Sequence, residues 1–252
     1  MEESKDYFDC LVERATKNGI PAKFLETQPR IANMRTKVID WFIDVNNEYW
    51  LLPETHLLSS YLFDLYLSKG VAAPEDMQLI GTTCMFIAHK YEQVYEPNVI
   101  DYAYITDGKH EPNEIIKMEE TILNTIEFNL AFPTMFYFLR CMGEVIDHFD
   151  IIEPFCFYLL YIATLDVDIY ELHPAQLAAS SIYLANIMFK YNPWDSSLET
   201  YSSYKEEDVK KSASKLNEIR KQVHASEYKA ITRKFKKDSF VEPTTQSPLD
   251  AI

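Results

Sequence analysis

The side chains that most often carry out chemistry in proteins are sparse and scattered in this sequence. Its six histidines and four cysteines include no Cys-x-x-Cys pair and no cluster with the spacing of zinc ligands. The sequence also lacks a glycine-rich phosphate loop, a His-Glu-x-x-His motif and a Gly-x-Ser-x-Gly motif. Its many Asp and Glu residues are explained by solvated acidic faces. We therefore predict a protein that is not an enzyme and that needs no metal or cofactor.

The charge of the chain argues against nucleic acid as a partner. The formal net charge is −15 and the pI is near 4.8, whereas a phosphate backbone is bound by clustered Lys and Arg. No run of 18 apolar residues is present, so we predict no membrane-spanning segment and no membrane partner. The opening Met-Glu-Glu-Ser-Lys-Asp is more acidic and polar than a signal peptide. We expect a soluble intracellular protein.

The elements that would position any functional residue are predicted to be helices, because apolar residues recur at helical spacing and no sustained period-two alternation is found. Prolines suit the first turns of three of these segments. The fold class is therefore predicted to be all-α. The apolar faces are Leu58, Tyr61, Leu62 and Leu65 after Pro53; Met135, Leu139, Met142 and Ile146 after Pro133; Phe155, Tyr158, Leu159 and Ile162 after Pro154; and Val209, Ala213, Leu216 and Val223 in 205–224.

An internal repeat organises these helices into two units. The segment 78–91 is apolar on most sides, which is typical of a central buried helix. Its start, Gln-Leu-Ile-Gly-Thr-Thr, matches Gln-Leu-Ala-Ala-Ser-Ser 98 residues later, at 176–181. Each copy is third in a run of about five helical segments, which favours two tandem five-helix units. We predict boundaries at 1–30, 31–131, 132–225 and 226–252, with an amphipathic helix over 4–17 carrying Tyr7, Phe8, Leu11 and Ala15 on one side.

A series of ordered motifs over residues 5–225 resembles the cyclin family, and in particular its A/B-type, mitotic-like branch. The resemblance implies two tandem five-helix cyclin-box domains plus an N-terminal helix. The motifs are Met34 to Trp41, Pro53-Glu54-Thr55, Tyr61 to Ser68, Gln78 to Gly81, Ala88 to Glu92, Tyr95-Glu96-Pro97, Tyr104 to Asp107, Met118-Glu119, Phe128-Asn129-Leu130 and Pro133-Thr134.

The resemblance also implies a partner and a task. Cyclins bind a cyclin-dependent Ser/Thr protein kinase and hold its αC helix in the active position, here in G2/M-like control of the cell cycle. Lys90 and Glu119 match the family's pair at the centre of the kinase contact; the alternative is an ordinary surface pair. The other matching kinase-binding positions, several of which could equally be core, are Tyr7, Leu11, Ile87, Tyr91, Glu92, Val94, Leu123, Phe128 and Leu130.

Two further sets of residues match the family. Arg35 and Asp64 match a structural pair that joins the first two helices of the box. A substrate-docking patch for Arg-x-Leu segments of substrates or inhibitors would comprise Met34, Lys37, Val38, Trp41, Asp44, Met77 and Gln78. Lys37 departs from the family, which usually has an apolar residue there. Its charge would repel a leading arginine, while Asp44 would attract it, so we expect an altered preference.

Two other functions stay open. A nucleic-acid-binding protein of cyclin fold would carry a basic stripe on one repeat, but the strongest basic cluster, 233–237, lies outside both repeats. An all-α enzyme would need a site between the repeats and would show turnover without a kinase. Ser247-Pro248 is a minimal proline-directed phosphorylation site of a kind that occurs often by chance. The family resemblance favours a kinase activator located in the nucleus and cytoplasm.

Overall fold

A computed structural model describes residues 2–70, 72–226 and 228–236, with the side chains of residues 2 and 236 excepted. The described residues form helices and no strands, as predicted. They separate into two compact units, one of residues 20–132 and one that joins the N-terminal residues to 133–236. Residues 237–252, which include Pro243 and the Ser247-Pro248 dipeptide, lie outside the described residues.

The unit of residues 20–132 contains five α-helices, in agreement with the sequence. Three of them begin at a proline, whose missing N–H is no loss in a first helical turn. The helix α4 packs against α2, α3 and α6, so it is the central element. The helices are α2 (Pro29–Glu48), α3 (Pro53–Lys69), α4 (Met77–Glu92), α5 (Val99–Tyr104) and α6 (Pro112–Thr125), with a 3₁₀ turn at Pro74–Asp76 before α4.

The small residues of α4 allow the close helix packing predicted for this segment. A β-carbon on Gly81 would lie 2.7 Å from Cγ1 of Val38 and 3.0 Å from Cε1 of Phe42, both on α2. The hydroxyls of Thr82 and Thr83 donate to the carbonyls of Gln78 and Leu79, so both are satisfied within the helix. Because no side chain projects from Gly81, α2 and α4 pack with their backbones close together.

The helix α3 is buried more completely than its apolar pattern predicts. Every residue from Thr55 to Leu65 is buried, not only the predicted face. Ser59 and Ser60 donate to carbonyls one turn earlier, at 2.6 and 2.9 Å. Asp64 accepts hydrogen bonds from a buried arginine. Each of these polar residues finds a partner inside the protein, as the predicted pairing of Asp64 with Arg35 requires.

The second unit also contains five helices in tandem, together with α1 (Glu2–Lys17) and α12 (Ala230–Lys236). The helix α9 packs against α7, α8 and α11 and is central, as α4 is in the first unit. The hydroxyl of Ser180 donates to the Gln176 carbonyl at 2.7 Å, repeating the bond between Thr82 and Gln78. The five are α7 (Met135–Gly143), α8 (Phe149–Leu165), α9 (Pro174–Met188), α10 (Ser196–Ser202) and α11 (Glu206–Ala225).

Two predicted helix limits in this unit were wrong. The helix α7 ends at Gly143, so Ile146 is buried but lies outside it. A β-carbon on Gly143 would lie 2.5 Å from the ring of Phe149, so the chain turns where this ring packs against it. The helix α8 begins at Phe149 and contains Pro154 in its interior, instead of starting there. Burial of Phe149 and Ile152 stabilises the extra first turn.

The helix α1 packs on α7 and α10 through one apolar stripe. The ring of Phe8 lies 5.6 Å from the ring of Phe138 and 5.3 Å from that of Tyr201. Leu11 and Ala15 continue the buried stripe at helical spacing. Tyr7, predicted on the same side, is 53% exposed, because it lies about 100° around the helix from Phe8. In α12, Phe235 is buried, although it belongs to the basic sequence cluster 233–237.

Candidate functional site

Lys90 and Glu119 form an ion pair between α4 and α6. Lys90 lies in the last turn of α4, and Glu119 lies in the middle of α6. Their side chains are 35% and 15% exposed, so the pair lies at a surface shared by the two helices. The Lys90 ammonium also lies 4.4 Å from the centroid of the Phe86 ring, within range of a cation–π interaction. The structure thus brings together the two residues that the family resemblance pairs.

Side-chain hydrogen bonds fix the end of α4 that carries Lys90. Nδ1 of His89 is 2.9 Å from the hydroxyl of Tyr102 on α5. The amide of Gln93 donates to the hydroxyl of Thr55 on α3 at 2.8 Å. Burial lowers the pKa of His89 and raises the pKa of Tyr102, so both are neutral near pH 7. The C-terminal end of α4 is therefore held by both α3 and α5, which gives Lys90 a rigid base.

Exposed apolar side chains follow both helices of this surface. Val94 lies just after α4 and is 90% exposed. Phe128 lies just after α6, is 64% exposed and has a left-handed backbone, as does Glu127. Large apolar groups that stay exposed to solvent are typical of protein-binding surfaces. Of the remaining predicted positions, Tyr91 is exposed, and Glu92, Leu123 and Leu130 are half-buried.

Two predicted kinase-binding residues are core residues in this structure. Ile87 is 2% exposed, because it faces the interior of its unit from α4. Leu11 is 7% exposed, because it packs in the apolar stripe of α1 beside Phe8. Both positions therefore have a packing role, as the alternative reading of the sequence allowed. Tyr7 remains accessible on the outer side of α1.

Arg35 and Asp64 form the structural pair that the sequence predicts. Nε of Arg35 donates to Oδ1 of Asp64 at 2.9 Å, and its Nη2 donates to Oδ2 at 2.6 Å. Both side chains are fully buried, so neither can contact a partner protein. A bidentate pair of this kind fixes the separation and rotation of α2 against α3.

Five of the seven predicted docking-patch residues line one groove of about 370 Å³ on the first unit. Met34, Lys37 and Val38 come from α2, and Met77 and Gln78 come from α4. Trp41 and Asp44 do not line this groove, although both are half-buried on the same helix. Four lining residues were missed by the sequence analysis: Pro74, Glu75, Lys109 and His110.

The missed residues come from two segments: Pro74 and Glu75 from the 3₁₀ turn before α4, and Lys109 and His110 from the loop between α5 and α6. The local signal for the loop between α5 and α6 is Gly108, whose φ of +70° turns the chain just before Lys109.

Within the ranges 2–70, 72–226 and 228–236, no three His, Cys, Asp or Glu residues are arranged to hold a metal ion. No described helix has both the length and the apolar character needed to cross a bilayer.

Comparison with known proteins establishes the family. The model of the cyclin N-terminal domain matches residues 6–131, and that of the cyclin C-terminal domain matches residues 133–249. G2/mitotic-specific cyclin C13-1 of Daucus carota is 34% identical over 96% of this chain and 73% of its own length. G2/mitotic-specific cyclin-A of Patella vulgata is 30% identical over the whole chain. This chain spans 59% of the length of the Patella protein.

Solved structures show the same fold. A viral cyclin from herpesvirus saimiri matches 89% of this chain and 99% of its own, with a TM-score of 0.73 and 20% identity. This chain belongs to the cyclin family. Its relatives include proteins named G2/mitotic-specific cyclins A and B, as the predicted A/B-type resemblance requires.

Proposed function

We propose that this chain is a regulatory subunit that binds a cyclin-dependent Ser/Thr protein kinase and activates it. The observation that supports this proposal best is the ion pair of Lys90 and Glu119 at a surface shared by α4 and α6, with the exposed Val94 just after α4 and the exposed Phe128 just after α6. We call this surface, with Tyr91, the α4–α6 surface. Its charged pair can bond main-chain donors and acceptors of a partner, while its apolar groups supply the area to be buried.

The proposed mechanism is a shift in the conformational population of the kinase. A kinase needs its αC glutamate paired with a strand lysine before it can hold the nucleotide phosphates. A subunit that binds only the state with αC inward raises the population of that state. The rigid attachment of α4 to α3 and α5 suits this task, because a surface that yielded would not hold αC in place. The chain itself then supplies no catalytic group.

The names of the relatives support a cell-cycle role of the G2/M type. We also propose that the protein is located in the nucleus and cytoplasm. We propose that 31–131 and 132–225 act as two cyclin boxes, with 1–30 as docking helix and linker and 226–252 as C-terminal helix and tail. A fluorescently tagged chain followed through the cell cycle tests the location. Its exclusion from the nucleus throughout mitosis would contradict that part of the proposal.

Reconstitution tests the central proposal. The purified chain is mixed with each cyclin-dependent kinase of its own cell, and phosphorylation of a short Ser/Thr-Pro peptide is measured. We expect one or more of these kinases to bind the chain and gain activity, and the chain alone to transfer no phosphate. Binding without activation by any of them, or phosphate transfer by the chain alone, would contradict the proposal.

We also propose that the groove of the first unit docks short peptides of kinase substrates or inhibitors. The observation that favours this is its apolar floor of Met34, Val38, Pro74 and Met77 on an otherwise acidic protein. An Arg-x-Leu peptide is the ligand that the family resemblance predicts. Binding of labelled peptides to the chain, compared with a chain carrying Val38→Glu at the floor, tests this docking. Equal binding to both chains would place the peptide elsewhere.

A further inference from the structure

The groove has a basic rim although the chain is strongly acidic. Its charged lining residues are Lys37, Glu75, Lys109 and His110, so at neutral histidine the groove carries a net charge of +1 within a chain of −15. Lys37 stands on α2, and Lys109 stands on the loop between α5 and α6. Two lysines from separate elements therefore border one apolar floor.

Neither rim lysine is neutralised by the protein. Neither Lys37 nor Lys109 forms an ion pair with any residue of the described part of the chain, and the side chains of both are exposed. Lys90 and Lys215, by contrast, are each paired with a glutamate. The two rim ammonium groups are thus available to a ligand.

The loop that carries the second lysine is built rigidly. The buried hydroxyl of Thr106 donates to the Ala103 carbonyl at 2.7 Å and accepts from the His110 backbone N–H at 3.3 Å. The left-handed Gly108 completes the turn between them. Nδ1 of His110 is buried and has no hydrogen-bond partner among the described residues.

We propose that this groove selects an acidic peptide, with one apolar side chain on the floor and flanking Asp or Glu carboxylates at Lys37 and Lys109. The inference rests on the proposed docking of kinase substrates or inhibitors and names the chemistry of the docked segment. An arginine-led peptide is disfavoured, because its guanidinium would meet two uncompensated ammonium groups and only one lining carboxylate, that of Glu75. Complementary charge at the rim sets the preference, and burial of the apolar side chain supplies the common affinity.

Three labelled peptides test the selection. Each has a central leucine, which is flanked by glutamates, by glutamines or by arginines, and binding to the full chain is measured by fluorescence anisotropy. We expect the glutamate peptide to bind about tenfold more tightly than the arginine peptide at low salt, with the glutamine peptide between them. The difference should shrink above about 0.5 M salt, because the rim charges are exposed and screened.

Charge reversal at the rim provides the decisive comparison. The double variant Lys37→Glu/Lys109→Glu should bind the arginine peptide more tightly than the glutamate peptide. The control Lys210→Glu reverses an exposed lysine of α11 and should retain the wild-type order. An unchanged order in the double variant, or tighter binding of the arginine peptide by the wild type, would overturn the proposal. So would a phosphoserine peptide that binds while the glutamate peptide does not.

Kinase activation is measured on the same preparations with a short peptide that lacks any docking segment. Activation by the double variant at the wild-type level, with a changed peptide order, supports both proposals. Normal activation with no acidic preference removes the peptide selection and leaves the proposed kinase activation intact. If the wild-type chain does not activate any kinase, the result contradicts the proposed kinase activation and leaves the peptide selection to be judged by the binding measurements.

Discussion

Arg35 of α2 and Asp64 of α3 form a bidentate ion pair whose two side chains are fully buried. The net contribution of such a pair to stability is smaller than the loss of stability that follows when one partner is removed. Its charges were both removed from water, so their attraction mainly offsets that loss. Removing one partner, however, leaves the other charge buried without it.

Arg35→Met should therefore lower the free energy of unfolding by about 3–5 kcal/mol. The double variant Arg35→Met/Asp64→Leu should recover most of this loss, because it removes both charges and keeps the volume apolar. Urea denaturation of the two variants and the wild type measures the difference. A double variant no more stable than the single one would show that α2 and α3 need the pair itself.

Lys90→Ala and Glu119→Ala, unlike Arg35→Met, should impair kinase activation and leave stability nearly unchanged. The pair is partly exposed, so each substitution should change stability by only about 0–1 kcal/mol. Each should nevertheless abolish kinase activation, because the proposed main-chain bonds at the α4–α6 surface are lost. Melting temperature and kinase assay are measured on the same protein. Activation at the wild-type level in both variants would show that the kinase binds elsewhere.

Substitutions of the neighbours Tyr7 and Phe8 distinguish a contact with the kinase from internal packing of α1. Phe8→Ala removes a ring that packs against Phe138 and Tyr201, and should cost about 3–5 kcal/mol of stability. Tyr7→Ala removes an exposed ring and should change stability by less than about 0.5 kcal/mol. If α1 docks on the kinase, Tyr7→Ala should still weaken kinase binding in a titration. Equal kinase affinity for Tyr7→Ala and the wild type would restrict α1 to packing.

Gly81→Ala should destabilise the first unit by about 1–3 kcal/mol, because the new methyl group would meet Val38 and Phe42 at 3.0 Å or less. Gly70→Ala is the matched control. Its backbone is extended, and a β-carbon there would lie 3.5 Å from the Tyr66 carbonyl oxygen, an ordinary contact. Chemical denaturation should separate the two. Because Val38 also lines the groove, Gly81→Ala should weaken peptide binding as well.

His173 should make the second unit sensitive to acid. Its Nδ1 accepts from the Ala175 N–H at 3.2 Å and caps α9, and its Nε2 is 3.4 Å from the Thr16 hydroxyl of α1. Burial lowers the pKa of His173 below its ordinary 6.5, an effect that a hydrogen bond to the Val12 backbone partly opposes. The neutral ring is thus the folded form. Its contribution is complete above pH 6.5 and is lost as the pH falls through the lowered pKa.

The variant His173→Asn keeps a side chain that caps helices but cannot titrate. At about pH 7.5 it should be roughly 1 kcal/mol less stable than the wild type, because it loses the bond to α1. This difference should narrow as the pH falls to about 5. At that pH the wild type takes up a proton at His173 when it unfolds, which lowers its stability, whereas the variant has no such group. Urea denaturation at both values measures it. A difference that is constant with pH would show that His173 does not titrate on unfolding.

The sequence by itself determined the helical fold, the two repeated units and the pairing of Lys90 with Glu119. The helical fold follows from local physics, because helix periodicity and first-turn prolines act over a few residues. The two units follow from the repeat of one helix pattern 98 residues further along the chain. The pairing was implied by the family resemblance, which rests on two separate motifs that place Lys90 and Glu119 29 positions apart. Apolar spacing could not show whether Ile87 and Leu11 face the core or a partner, because both environments favour the same side chains.

Only the tertiary structure decided the complete burial of α3, the limits of α7 and α8, and the basic rim of the groove. Ser59 and Ser60 are buried because their hydroxyls donate to carbonyls of α3 itself, which no polarity pattern reveals. The groove brings Lys37 together with Lys109 and His110, which are more than 70 residues further along the chain. Their combined charge exists only because α2 and the loop between α5 and α6 meet around one apolar floor.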